Sequence, residues 1–175
     1  VTLGGDHTGQ RVAFQDYFVR LRHEVPVTDI HLGAVDVSAT PEVCDAIDNA
    51  ELVIIAPSNP LVSIGPVMAV NGVRERLEQR RDTVVAVSPL VGGAALKGPA
   101  ADMMRDAGLR SDAAGVATLY APVAGTMVID TVDAGLAGDV RAAGCASVVT
   151  DTVMADPQVA ARLAQVCVDA VVNRR

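Results

Sequence analysis

Aromatic residues are scarce in this 175-residue chain, which has two Tyr, two Phe and no Trp. Its core must be built from Val, Ala, Leu and Ile, a composition that suits parallel strands covered by helices on both faces. Cysteine is equally sparse. Cys44, Cys145 and Cys167 are far apart and odd in number, lack any CxxC or Cys/His spacing for zinc, and fit a reducing, cytoplasmic compartment. Basic residues are outnumbered, 14 Lys and Arg against 21 Asp and Glu, and the net charge of −7 counts against nucleic acid as a partner. A small anionic ligand held by backbone amides is compatible with that charge. No window approaches the ~20 apolar residues of a membrane span, and the amino end, VTLGGDHTGQR, lacks the basic-then-apolar order of a secretory signal. No membrane partner is expected. Neither GxxxxGK[ST] nor GxGxxG occurs, which excludes a standard P-loop or dinucleotide fingerprint, and no GxSxG pairs a serine with a base. His7, His23 and His31 are not spaced to share a metal, and His31 reads as structural. No familiar catalytic constellation is visible.

What is present is a 50% apolar chain of a length that buries one sizeable core, so residues 1–175 are expected to form a single α/β domain. The chain lacks an initiator methionine and is read as starting inside a longer polypeptide or at a processed end. Strand and helix patterns alternate along it. Val12 to Arg22 carries nearly all the aromatics at helical spacing, and Val25 to Leu32 reads as a strand. Pro41 to Asn49 is expected as a helix with Thr40 at its N-cap, followed by a strand at Leu52 to Ala56. Further strands are expected at Thr83 to Val87, Thr126 to Ile129 and Ser147 to Thr150. Helices are expected at Val73 to Arg81, Ala100 to Ala107, Asp133 to Ala143 and Pro157 to Val171, the last capped by Asp156.

The most informative segment is APSNPLVSIGP, Ala56 to Pro66, directly after the apolar run Leu52 to Ile55. It reads as a loop at the carboxyl end of a buried parallel strand, where open α/β sheets bind ligands. Ser58, Asn59 and Ser63 supply short polar side chains, Gly65 permits close approach, and a helix starting near Ile64 would leave free N–H groups facing a phosphate. The plainer alternative is an ordinary capped connection, with Pro57 and Pro60 disfavouring helix. A second loop, Ser88-Pro89-Leu90-Val91-Gly92-Gly93 with Lys97 beyond it, follows the strand at Thr83 to Val87. Two such loops would face one edge of the sheet, so Ser58, Asn59, Ser63 and Lys97 could converge on one ligand. Taken singly, Gly92-Gly93 reads as a simple turn and Lys97 as a solvated charge. Asp130, Asp133 and Asp151, at strand ends, read as helix caps more readily than as contacts to a metal or a hydroxyl.

Four segments in order, PSNPLVSIGPVMAVNGVRERL, AVSPLVGGAALKGPAADMMRDAG, GTMVID and VVTDTVM, resemble the 2-phospho-L-lactate transferase family of coenzyme F-420 biosynthesis. AFQDYFVRLRHEVPV, Ala13 to Val27, is similar to that family's aromatic FQ-x-Y/W segment. The resemblance implies a Rossmann-like three-layer sandwich with a mostly parallel sheet. It also implies transfer of a phosphoenolpyruvyl or 2-phospho-L-lactyl group from a guanosine diphosphate-linked donor to the deazaflavin Fo, with GMP released and Mg²⁺ required. Carried over, Ser58, Asn59, Pro60, Ser63, Ile64, Gly65, Ser88, Gly92, Gly93 and Lys97 would line the nucleotide and phosphate side. Phe14, Gln15, Tyr17 and Phe18 would help form the deazaflavin pocket. No catalytic residue follows from the match. Family members begin with a glycine-rich strand-loop and metal-holding acidic residues that this chain lacks, so it is expected to be the carboxyl-terminal portion, with no metal ligands of its own. Which phosphoacid is transferred stays open, as does oligomeric state, a homodimer included. A nucleotide- or sugar-nucleotide-binding regulator of the same fold is the alternative, and the aromatic FQDYF segment favours the transferase because a flat tricyclic ring needs such a wall.

Overall fold

The computed structural model describes residues 2–4, 11–20, 27, 29–31, 37–95 and 98–172. The chain opens with a small antiparallel sheet in which β1 (Thr2–Gly4) pairs with β2 (Arg11–Ala13) on one side and β3 (Asp29–His31) on the other. Helical backbone begins at Phe14 and widens into a π-helical turn over Asp16–Arg20. The helix predicted over Val12 to Arg22 is therefore shortened at its start, where Val12 pairs with Leu3 across the sheet. A β-branched residue with a strand partner outweighs a local helical pattern. Leu21, Arg22, Val25, Pro26 and Leu32 lie outside the described residues, so of the strand predicted over Val25 to Leu32 only β3 is described.

Helix α1 (Pro41–Asn49) leads into β4 (Val53–Ile55), the first strand of the main sheet. A π-helical turn over Pro60–Ile64, α2 (Gly65–Met68) and α3 (Val73–Gln79) carry the chain to β5 (Val84–Val87). A short hairpin, β6 (Leu90–Val91) with β7 (Ala94–Ala95), then precedes α4 (Ala100–Asp106) and α5 (Ala113–Tyr120). Strand β8 (Thr126–Asp130), a 3-10 turn over Thr131–Leu136, α6 (Ala137–Ala142), β9 (Ala146–Thr150) and α7 (Pro157–Val172) complete the chain. The main sheet runs β4-β5-β8-β9, and every neighbouring pair is parallel. All four carboxyl ends consequently open at one edge.

Alternation along these strands divides the core. Val84 and Ala86 join Ile55, Met127 and Ile129 on one face, packed by Leu77, Met104, Val116 and Val140 from α3, α4, α5 and α6. Val85, Val87 and Val128 face the other way against Leu163, Cys167 and Val171, a stripe at spacing four along α7. The result is a mixed α/β fold with a parallel core sheet flanked by helices. A third cluster, Tyr17, Val27, Val62 and Met103, ties the aromatic segment to the Pro60–Ile64 turn and to α4.

Caps hold the helix ends. Asp156 accepts from the Gln158 and Val159 amides at 2.8 and 3.0 Å, as its place in the sequence predicts. Thr40 occupies the N-cap of α1 but its hydroxyl makes no capping bond there. Asp112 caps α5 through the Ala114 and Gly115 amides, which brings the Arg110 carbonyl so close that a Cβ at Gly115 would lie 1.8 Å from it. At the amino edge of the sheet Arg80 donates to the carbonyls of Ile47 and Ala50 near the end of α1. Arg81 reaches Ala121 at 2.6 Å and also Gly144, beyond the ends of α5 and α6.

Candidate functional site

The loop after β4 is organised by Asn59. Its side-chain oxygen accepts from the Leu61 and Val62 amides at 2.9 and 3.3 Å, while its carbonyl accepts from Ser63 and Ile64, both at 3.1 Å. The helical turn therefore starts at Pro60, not near Ile64, because proline at a first helical position forfeits no bond and asparagine is a strong cap. This corrects the expectation of unsatisfied N–H groups facing an anion, since those of Leu61 to Ile64 are already occupied. The Asn59 amide nitrogen in turn contacts Met103 Sδ at 3.5 Å. Gly65 sits tightly, as a Cβ there would lie 3.1 Å from the Pro60 carbonyl and the backbone would have to give by a few tenths of an ångström.

Beside this turn, at the carboxyl edge of the main sheet, lies a cavity of about 690 Å³. The β4 loop contributes Ser58, Asn59 and Ser63, and the β5 loop contributes Ser88 and Pro89. Phe14 and Phe18 close one side, their rings stacked at 5.9 Å between centroids and 14° between planes. Gly98, in the segment after Lys97, also lines it, and a Cβ on Gly98 would stand 3.8 Å from the Phe18 ring. A flat ring system and a phosphorylated tail both fit a volume of this order.

The remaining site residues expected from the sequence fall elsewhere. Tyr17 turns inward to the third core cluster, where burial, and then the Asp106 and Asp102 carboxylates, push its hydroxyl pKa up. Gln15 is exposed and does not line the cavity. Pro60 and Gly65 border a separate cavity of about 380 Å³, and Ile64 packs against the main core. Gly92 and Gly93, at φ of 62° and 74°, form the turn of the β6–β7 hairpin outside the lining. Two successive positive φ angles explain the glycine pair. Lys97 lies outside the described residues.

A third wall has no counterpart among the expected site residues. Thr152, Val153 and Met154, which follow β9, also line the cavity. The rule that parallel strands open at one edge, applied to the last strand as to the first two, could have found them. They are braced by Asp130, whose Oδ2 accepts from the Thr152 amide at 2.8 Å and the Thr152 hydroxyl at 2.9 Å. Its Oδ1 accepts from the Val132 amide at 3.0 Å and lies 3.2 Å from the Thr131 hydroxyl, whose one proton is shared with Asp151 Oδ1 at the same distance. Burial pushes the Asp130 carboxyl pKa up, but these amide and hydroxyl bonds outweigh it and hold the group below the usual carboxylate range. Asp133 accepts from the Gly92 amide through both oxygens, at 3.1 and 3.0 Å, and so anchors the hairpin.

Hydroxyl commitments distinguish the serines. Ser88 is 2% exposed and exchanges bonds with Leu90, donating to its carbonyl and accepting from its amide. Ser58 and Ser63 make no side-chain bond among the described residues and can turn their hydroxyls toward a ligand. No group of three or more His, Cys, Asp or Glu side chains that could hold a metal comes together among the described residues. No helix among them is long and apolar enough to cross a membrane.

This arrangement can be set beside known proteins. A family model described as 2-phospho-L-lactate transferase CofD matches residues 2–168. The 2-phospho-L-lactate transferase of Methanospirillum hungatei is 40% identical over 154 residues, which cover 87% of this chain and 48% of that protein. The phosphoenolpyruvate transferase of Streptomyces griseus is 36% identical over 167 residues, covering 94% and 52% respectively. That of Streptomyces coelicolor is 38% identical over the same length, with the same coverage. The chain spans about half the length of the curated relatives it matches. With almost its whole length accounted for by one family model, loops, aromatic segment and β9 wall included, the chain belongs to the 2-phospho-L-lactate transferase CofD family.

Proposed function

We propose that the cavity between the Phe14–Phe18 pair and the loops after β4, β5 and β9 is the substrate site of a transferase of coenzyme F-420 biosynthesis. The activity is transfer of a phosphoenolpyruvyl or 2-phospho-L-lactyl group from a guanosine diphosphate-linked donor to Fo, with release of GMP. The observation that supports it is the convergence in one space of an aromatic wall, two uncommitted serine hydroxyls and the third wall at Thr152. The stacked phenyl rings give the flat deazaflavin an apolar surface. Ser58 and Ser63, with Lys97 as the expected cation, face the diphosphate. The primary hydroxyl of Fo attacks the phosphorus bearing the three-carbon acid, a new P–O bond forms, the P–O bond to GMP breaks, and the hydroxyl proton is released. The chain's part is positioning and charge stabilisation, the main sources of catalysis in such transfers.

On this reading the chain is the carboxyl-terminal portion of a longer transferase, and the Mg²⁺ requirement rests on groups outside the described residues. The test is mass spectrometry of the product made from Fo and each GDP-linked donor by the complete polypeptide containing this chain, with and without chelator. A product heavier than Fo by the phosphoacid less one water, together with one GMP per turnover, is expected. Tight GDP binding without any product from either donor would favour the binding-only regulator.

A further inference from the structure

The last wall of the cavity has a fixed hydrogen-bond polarity. Asp130 is 3% exposed at the carboxyl tip of β8. An ionised carboxylate only accepts, so the proton of the Thr152 hydroxyl, 2.9 Å from Oδ2, is committed to Asp130. The Thr152 amide at 2.8 Å from the same oxygen holds the residue in place, and the Val132 amide holds the carboxylate from its other side, where the Thr131 hydroxyl bridges it to Asp151. What remains to Thr152 Oγ1 is lone pairs, and Thr152, only 3% exposed, forms part of the cavity wall. A hydroxyl polarised by a neighbouring anion is a stronger acceptor than a free one.

We infer that Thr152, oriented by Asp130, presents an obligate hydrogen-bond acceptor to the cavity and selects a hydroxyl or N–H of the substrate. Phosphate oxygens, which only accept, are turned from this wall toward Ser58 and Ser63, whose hydroxyls are uncommitted among the described residues. The proposal rests on the transferase reading of the cavity and deepens it, because the donor group that seats against Thr152 is then the terminal primary hydroxyl of Fo. Thr152 is the contact residue. Asp130 acts through it and is a positioning residue.

The test compares Fo with its terminal O-methyl ether, which keeps the oxygen but removes the donor, in fluorescence titrations of wild type, Thr152→Val, Thr152→Ser and Asp130→Asn. Wild type is expected to prefer Fo by roughly tenfold or more, the factor for one hydrogen bond to a charge-linked group. Thr152→Val, equal in bulk, should lose that preference while its GDP affinity is unchanged, and Thr152→Ser should restore it. Asp130→Asn removes the negative charge that polarises the Thr152 hydroxyl, so the preference should shrink. Thermal melts establish that each variant is folded, and Thr152→Val decides the matter if Asp130→Asn is not. An undiminished preference in Thr152→Val, or none in wild type while the complete polypeptide still makes product, overturns the inference alone. Failure of wild type to bind or convert Fo overturns the transferase reading and this inference with it.

Discussion

Asn59 offers a way to separate what the cavity wall does for stability from what it does for a ligand. Asn59→Ala removes the oxygen that satisfies the Leu61 and Val62 amides, and deleting an N-cap side chain costs about 1 kcal/mol, up to ~2 where the freed amides are partly buried. In a domain of this size that lowers the melting temperature by roughly 2–4 °C per kcal/mol. Asn59→Asp keeps the acceptor and should melt close to wild type, giving up only the weak contact to Met103 Sδ. It places a negative charge in the wall beside Ser58 and Ser63. At an effective dielectric of about 20, a carboxylate within about 8 Å of one phosphate charge costs ~2 kcal/mol, or about thirtyfold in affinity. Melting followed by circular dichroism, paired with calorimetric titration of GDP, reads both effects on the same samples. If Asn59→Asp binds GDP as wild type does, the diphosphate does not rest against this turn. If Asn59→Ala melts with wild type, the capping role assigned to Asn59 is wrong.

Leu163→Ala should cost about 2–4 kcal/mol in urea unfolding, because α7 supplies the described cover for the second sheet face and Leu163 is 4% exposed within it; a loss under 1 kcal/mol would mean that face is not a packed core. Gly115→Ala should destabilise by about 2–3 kcal/mol, since its Cβ would meet the Arg110 carbonyl, and an unchanged urea midpoint would contradict the geometry at the start of α5. Asp130 titrates below the ordinary carboxyl range in the folded chain, so its stabilisation is complete above the unfolded value of ~3.9 and fades as pH falls through the folded one. The stability gap between wild type and Asp130→Asn should therefore narrow below about pH 4, and a gap constant to pH 2 would show that the carboxylate is not held by these bonds.

The parallel strands were legible because Val84–Val87 and Thr126–Asp130 are short β-branched runs bounded by turn residues, buried on both faces. Asp156 as a cap and the shared edge of the β4 and β5 loops were legible for equally local reasons. Val12 misled, since its antiparallel pairing with Leu3, nine positions earlier, is a contact that no helical periodicity reveals. Pro60 misled too, because a proline next to an asparagine breaks a helix or starts one according to whether the asparagine side chain turns back to cap. Of the candidate site, Phe14, Phe18, Ser58, Asn59, Ser63 and Ser88 come together, as side chains at one sheet edge must. Thr152 stayed hidden because its importance depends on Asp130, twenty-two positions away in sequence and adjacent only through the pairing of β8 with β9.

A crystal structure of the chain with GDP and Fo bound together tests most directly whether one crevice serves both compounds. The deazaflavin ring should lie against Phe14 and Phe18, its terminal hydroxyl within hydrogen-bond reach of Thr152 and the diphosphate beside Ser58 and Ser63. Either compound seated away from the carboxyl edge of the β4-β5-β8-β9 sheet would contradict it.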